Sequence, residues 1–166
     1  SPDMIGGGEY TCFLNGNENA CTPEMFVRYA QIAALMPVMQ FSASPWRVLP
    51  EADFQKVKDA LALREKCLPE ILKAVECAKV TGEPIVRSME FVFPGQGMER
   101  VMDQFMVGED LLVAPVWKQG EVVRSVTLPE GQWRCVSLGE TEGDVLNGGR
   151  NVVLGENDGL VVLRRV

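Results

Sequence analysis

The chain has 166 residues and a formal net charge of −7, with 46% hydrophobic and 23% charged residues. The acidic balance and the lack of a basic stripe with interleaved aromatics argue against nucleic acid as a partner, and no apolar run approaches the ~20 residues that cross a bilayer, so no membrane partner is expected. Histidine is absent, which removes Ser-His-Asp and Cys-His machinery and leaves carboxylates, lysine, tyrosine or cysteine for any chemistry.

Residues 1–19 are polar and glycine-rich around Gly6, Gly7 and Gly8 and read as a loop at the end of a strand. The start at Ser1-Pro2-Asp3 shows no secretory signal and reads as a cut point. Thr22-Pro23-Glu24 opens a helix by capping, fixed φ and dipole complementarity. Met25, Tyr29, Ile32, Ala33 and Met36 mark its apolar spacing, and Pro37 stops it. Residues 38–42 read as a short buried strand entering a loop with Pro45 and Trp46. A long helix is predicted over about residues 50–80, kinked or split at Pro69 and ended by Gly82.

From Glu83 the texture turns to β. Strands are predicted over 85–93, 111–116, 151–154 and 160–164, with a hairpin of 122–128 and 132–138 around Pro129-Glu130-Gly131. The organisation is therefore α/β and then all-β. The tail of a (β/α) barrel followed by an antiparallel β cap has this pattern, and so does an independent α+β domain.

The five cysteines, Cys12, Cys21, Cys67, Cys77 and Cys135, are odd in number and contain no C-x-x-C. They read as free, partly buried thiols, with a Cys12–Cys21 disulfide as the alternative. Without histidine no zinc site is expected, and no other metal or cofactor is called for.

Several segments in order carry a resemblance. Asp3-Met4-Ile5-Gly6-Gly7 is similar to an Asp-Ile-Gly-Gly segment, Arg28 through Pro37 to an Arg-Trp-x-Gln helix, and Gly82-Glu83-Pro84-Ile85-Val86-Arg87 to a Gly-x-Pro-x-x-Arg strand. The run from Asp103 to Val116 nearly reproduces Asp-Gln-Phe-Met-x-Gly-Asp-Asp-Leu-Leu-Val-Ala-Pro-Val, and Leu128-Pro129, Gly131 and Trp133 follow at matching spacing. Together they resemble glycoside hydrolase family 31. That resemblance implies the tail of a (β/α)8 TIM barrel over residues 1–90, its last two βα units, then a proximal antiparallel β-sandwich over residues 91–166. It also implies a retaining α-glycosidase whose aspartate nucleophile and aspartate acid/base lie upstream of these segments. No catalytic residue is therefore assigned within this chain, which is expected to be inert alone.

The same resemblance supplies the candidate substrate-binding residues. Asp3 is expected at the end of barrel strand seven, contacting a sugar hydroxyl or else capping the glycine turn. Ser42 stands where many members of the family have a sugar-binding histidine, and it either contacts substrate or is a loop serine. Trp46 either stacks on a sugar ring or packs beneath its loop. Arg28, Gln31 and Arg87 are expected to be structural, Arg87 through Glu90, Asp103 or Asp110. Carbohydrate is the expected partner. A binding module for carbohydrate or protein, without catalysis, is the alternative function, and a purely structural accessory domain a further one. Barrel edges exposed by a cut are expected to favour homo-oligomers, swapping, or refolding of the first ~45 residues.

Overall fold

The computed structural model describes residues 2–7, 21–136, 143–154 and 160–166. Gly8, Cys12 and the turn at 155–159 lie outside the described residues. Helix α1 (Pro23–Ala34) begins as its capping chemistry dictates, with Thr22 Oγ1 accepting from the Met25 N–H at 3.2 Å and Pro23 in the first turn. Its buried side differs from the predicted one. Phe26, Val27, Ala30, Ala33 and Ala34 are buried, and Met25 is 59% exposed. Both stripes have a helical period. The alanine-bearing one is buried because its short side chains let helix α3 (Glu51–Thr81) pack closely alongside.

Helix α3 runs its 31 residues through Pro69 without splitting. Cys67 and Ile71, on either side of the proline, are buried in one cluster, so tertiary packing carries the helix past the missing hydrogen bond. It ends at Gly82, whose φ of +76° places it in the left-handed region. From its middle, Arg64 reaches across to the end of α1 and donates to the carbonyls of Ala34 (2.6 Å), Met36 (2.5 Å) and Pro37 (3.1 Å). The first is a carbonyl that the helix end leaves open, and the other two lie just beyond it.

Between the two helices, the strand predicted over 38–42 contracts to one parallel bridge, Ile5↔Phe41. The Ile5 N–H donates to the Gln40 carbonyl at 2.9 Å and the Ser42 N–H to the Ile5 carbonyl at 2.8 Å. Val38 is 50% exposed rather than buried. A short helix, α2 (Pro45–Val48), follows where a loop was expected.

The β region forms two antiparallel sheets. In the six-stranded sheet the order is β1 (Val86–Ser88), β2 (Phe105–Val107), β3 (Leu111–Pro115), β8 (Leu160–Arg165), β5 (Gln132–Cys135) and β6 (Val145–Asn147). The second sheet pairs β4 (Arg124–Leu128) with β7 (Arg150–Leu154). The strand predicted over 85–93 stops at Ser88, because Ser88 Oγ accepts from the Phe91 N–H at 3.3 Å and opens helix α4 (Met89–Val92).

The predicted hairpin around Pro129 does not form. Its two strands lie in different sheets, β4 paired with β7, and β5 with β6 and β8. Each strand buries one face, and those faces meet across a core instead of lying side by side. Trp133 is fully buried in that core and donates from Nε1 to the Pro129 carbonyl at 3.0 Å, holding the crossing turn.

Every residue of β3 is buried because both its faces are covered. Leu111 and Val113 join Ile71 and Ala74 of α3 in one cluster. Leu112 and Ala114 join Val126, Leu128 and Trp133 in another. The result is a layer of helices, the large sheet, and the small sheet, consistent with the expected β-sandwich. A third cluster of Ile5, Phe26, Ala30 and Val57 supports the Ile5–Phe41 bridge.

Candidate functional site

The bridge sets Ile5 beside Phe41 and Ser42, with Asp3 two residues before it on one segment and Trp46 five residues after it on the other. Asp3 is exposed and precedes the bridged Ile5 by two residues. Its Oδ1 accepts from the Met4 N–H at 2.7 Å, and its backbone carbonyl accepts from the Tyr29 hydroxyl at 2.6 Å. Burial, and then the charge of Asp3, push the Tyr29 hydroxyl above its ordinary pKa, so it stays a donor.

The glycine turn that follows leaves no room for side chains. Gly6 has φ +71°, and a Cβ there would stand 2.6 Å from Phe26 Cε2 and 3.3 Å from Ala43 Cβ. A Cβ on Gly7 would stand 2.7 Å from the Met4 carbonyl oxygen and 3.7 Å from Asp3 Oδ2. Beneath the turn the rings of Phe26 and Phe41 stack with centroids 6.2 Å apart. Backbone can therefore approach closely here, and Asp3 Oδ2 is turned along the same edge.

Ser42 is exposed, and its position is set through its N–H bond to Ile5. Trp46 sits in the first turn of α2 and is 67% exposed, so it does not pack beneath its loop. Both residues lie on the chain as it leaves the bridge.

The run from Asp103 to Val116 joins the layers. Gln104, 4% exposed, donates from Nε2 to the Thr127 carbonyl at 2.7 Å and accepts from the Thr127 N–H at 3.0 Å, so its side chain acts as a strand neighbour for β4. Asp103 pairs with Arg124 at 2.5 Å, and Asp110 with Lys73 of α3 at 2.6 Å. Gly108 has φ +59° and brings its turn against α3, where a Cβ would stand 3.1 Å from Ala74 Cβ. Arg87 is buried as expected of a structural arginine, but its carboxylate partners are Glu83 (3.1 Å), four residues before it, and Glu109 (3.5 Å), while Asp103 and Asp110 pair elsewhere.

One arrangement escapes sequence reasoning altogether. Arg28 donates to the carbonyls of Val116 (2.8 Å) and Glu121 (2.5 Å), and Glu24 Oε1 accepts from the Gly120 N–H at 2.8 Å. That amide, and then Arg28, hold the Glu24 carboxyl below the usual carboxylate range. The clamp fixes the loop carrying Trp117 against α1. A charged pair four residues apart on a helix signals only a local bridge, so the distant loop was not legible.

Residues 82–155 match the family described as "Glycosyl hydrolase family 31 C-terminal domain". The chain belongs to glycoside hydrolase family 31. Its similarity to this family extends upstream of the matched domain. It is 38% identical to the mouse "Myogenesis-regulating glycosidase" over 80% of this chain and 19% of that protein. It is 30% identical to an "Alpha-glucosidase" of Saccharolobus solfataricus over 85% of this chain and 20% of that one. The chain thus spans about a fifth of the length of these curated relatives. Among solved structures, a family 31 α-xylosidase from a soil metagenome, complexed with xylose, superposes with a TM-score of 0.76 at 28% identity, covering 86% of this chain and 25% of that one.

Proposed function

We propose that this chain is the C-terminal part of a retaining α-glycosidase. Residues 1–90 form the last two βα units of its (β/α)8 barrel and residues 91–166 its proximal β-sandwich. The observation that carries this reading is the parallel Ile5–Phe41 bridge connected through α1, with α3 following. Parallel neighbours need a crossover of this kind, and a barrel repeats it. Barrel loops at the carboxyl ends of the strands carry the chemistry. This chain contributes Asp3, Ser42 and Trp46 there: Asp3 hydrogen-bonds a sugar hydroxyl, Ser42 adds a small polar contact, and Trp46 offers a face for stacking.

Retention requires two carboxyl groups about 5–5.5 Å apart, one a nucleophile and the other an acid and then a base. The nucleophile and acid/base belong to segments outside residues 1–166. The whole enzyme cleaves terminal α-linked glycosides, such as α-glucosides or α-xylosides, through a covalent glycosyl-enzyme intermediate. The isolated chain does not turn over.

Aryl α-glucosides and α-xylosides test this on two proteins: the 166-residue chain and the polypeptide extended N-terminally to the length of the relatives. Phenol release by the longer protein alone is the expected result. Turnover by the short chain sinks the reading, and so does inactivity of the longer protein on every aryl α-glycoside offered.

A further inference from the structure

An exposed aspartate reads a sugar hydroxyl only if its carboxylate is held in place. Asp3 lies beyond the backbone bonds that the Ile5–Phe41 bridge supplies. Among the described residues, the hydrogen bond that reaches it from another element is the one from the Tyr29 hydroxyl to its carbonyl, at 2.6 Å. That donor is itself fixed, because the Tyr29 ring packs against the cluster of Ile5, Phe26, Ala30 and Val57 that supports the bridge. The peptide unit between Asp3 and Met4 is a rigid plane. Its carbonyl end accepts from Tyr29, and its N–H end donates to Asp3 Oδ1 at 2.7 Å. The hydroxyl therefore holds the plane, and the plane holds the carboxylate. A carbonyl that accepts also polarises the N–H across its peptide, which strengthens the second bond. Oδ2 is left to accept from a ligand. Glycine at position 7 keeps it open, since a Cβ there would stand in contact with it at 3.7 Å.

We propose that Tyr29 is a positioning residue of the substrate site: through the Asp3–Met4 peptide its hydroxyl aims Asp3 Oδ2 at one hydroxyl of the bound sugar, and so helps to select among sugars that differ at that carbon. The inference rests on the barrel reading, in which Asp3 contacts substrate, and deepens it by giving part of the choice of sugar to a residue of helix α1. Without the hydroxyl, Asp3 keeps its link to Met4, but the plane that carries both is free to tilt. A misplacement of about 1 Å in a binding contact costs up to about 10²-fold in rate, and the tilt of one peptide falls short of that, so a loss of about tenfold is expected.

The test compares wild type, Tyr29→Phe and Asp3→Ala in the N-terminally extended polypeptide, on an aryl α-glycoside that it turns over and on the monodeoxy analogues of that glycoside. Tyr29→Phe keeps the ring and its packing. Ratios of kcat/KM between substrates on one preparation do not depend on how much of it is folded, so a loss of stability alone leaves them unchanged. Asp3→Ala should cost little on one analogue, the one lacking the hydroxyl that Asp3 reads. Tyr29→Phe should lower kcat/KM by about tenfold on the parent glycoside and on the other analogues, and by less than about twofold on that same one. A uniform loss across the series, or no loss, would overturn the positioning role and leave Asp3 in the site. An Asp3→Ala effect that is equal on every analogue would instead remove Asp3 from the sugar, and the role of Tyr29 with it. An extended polypeptide inactive on every glycoside would overturn the glycosidase reading, on which both depend.

Discussion

Gln104 gives the sharpest test of how the sheets are joined. Its amide satisfies both the N–H and the carbonyl of Thr127, at 3.0 and 2.7 Å, from a site that is 4% exposed. Gln104→Ala leaves two half-buried backbone groups without partners. At about 1–3 kcal/mol for each, partly relieved by water, the expected loss is about 2–4 kcal/mol. For a chain of this size the melting temperature should fall by about 9 °C, the middle of the range that follows. Gln104→Glu sharpens the test. A carboxylate still accepts from the Thr127 N–H but faces the Thr127 carbonyl, whereas the protonated acid can donate to it. The folded state therefore raises the pKa of this Glu above its unfolded value near 4.3. Stability relative to wild type should be nearly complete below about pH 4 and be lost as pH rises through the folded pKa. Urea unfolding followed by far-UV circular dichroism, for wild type and both variants across pH 4–7, measures each difference. A Gln104→Ala loss below about 0.5 kcal/mol, or a Gln104→Glu deficit that does not change with pH, would refute the strand-neighbour role.

Three further outcomes follow from the same structure. Gly108→Ala forces a left-handed φ of +59° on an alanine whose Cβ meets Ala74 at 3.1 Å; it should cost about 2 kcal/mol or more in urea unfolding, with Ala74→Gly in the same chain recovering only the steric part. Burial pushes the Cys67 thiol from 9.0 up to about 11, so its contribution to stability is whole below pH 9 and fades as pH rises toward 11; the urea midpoint should fall more over that interval in wild type than in Cys67→Ala, and equal slopes would remove the thiol from the account. Trp46→Ala should leave stability within about 0.5 kcal/mol, since the side chain is 67% exposed, while raising KM for an α-glycoside up to about tenfold in the extended enzyme; an unchanged KM would take Trp46 out of the substrate site.

Where local chemistry decides a structure, the sequence showed it. Thr22 and Pro23 start α1, Gly82 ends α3, and the unbroken apolar run at 111–115 is the doubly covered strand β3. Where a partner decides it, the pattern marked a buried face without saying against what. Alternation on both sides of Pro129 looks like a hairpin until Trp133 is seen to need a core between two sheets. Two apolar stripes on α1 are equal by period, and only the approach of α3 selects the alanines. At the candidate site, Asp3, Ser42 and Trp46 were named through family resemblance, because isolated polar and aromatic residues carry no positional signal of their own. The Tyr29 tether on Asp3 and the Arg28–Glu24 hold on the Trp117 loop depend on residues 26 to 96 positions apart in sequence, beyond any local pattern.

The position of β8 in the large sheet bears on how the chain is made. It is the strand that joins β1, β2 and β3 to β5 and β6. Without it the sheet is two separate ribbons. Yet β3 ends at Pro115 and β8 begins at Leu160, so the ribosome must add about fifty residues, a delay of roughly 2–10 s, before the centre of the sheet can close. During that interval the open edge of β3 and its Leu112 and Ala114 face wait without their cover, and chaperones that recognise exposed hydrophobic chain have their best opportunity to bind. Synthesis should accordingly depend more on such help while residues 116–165 are added than over the hundred before them.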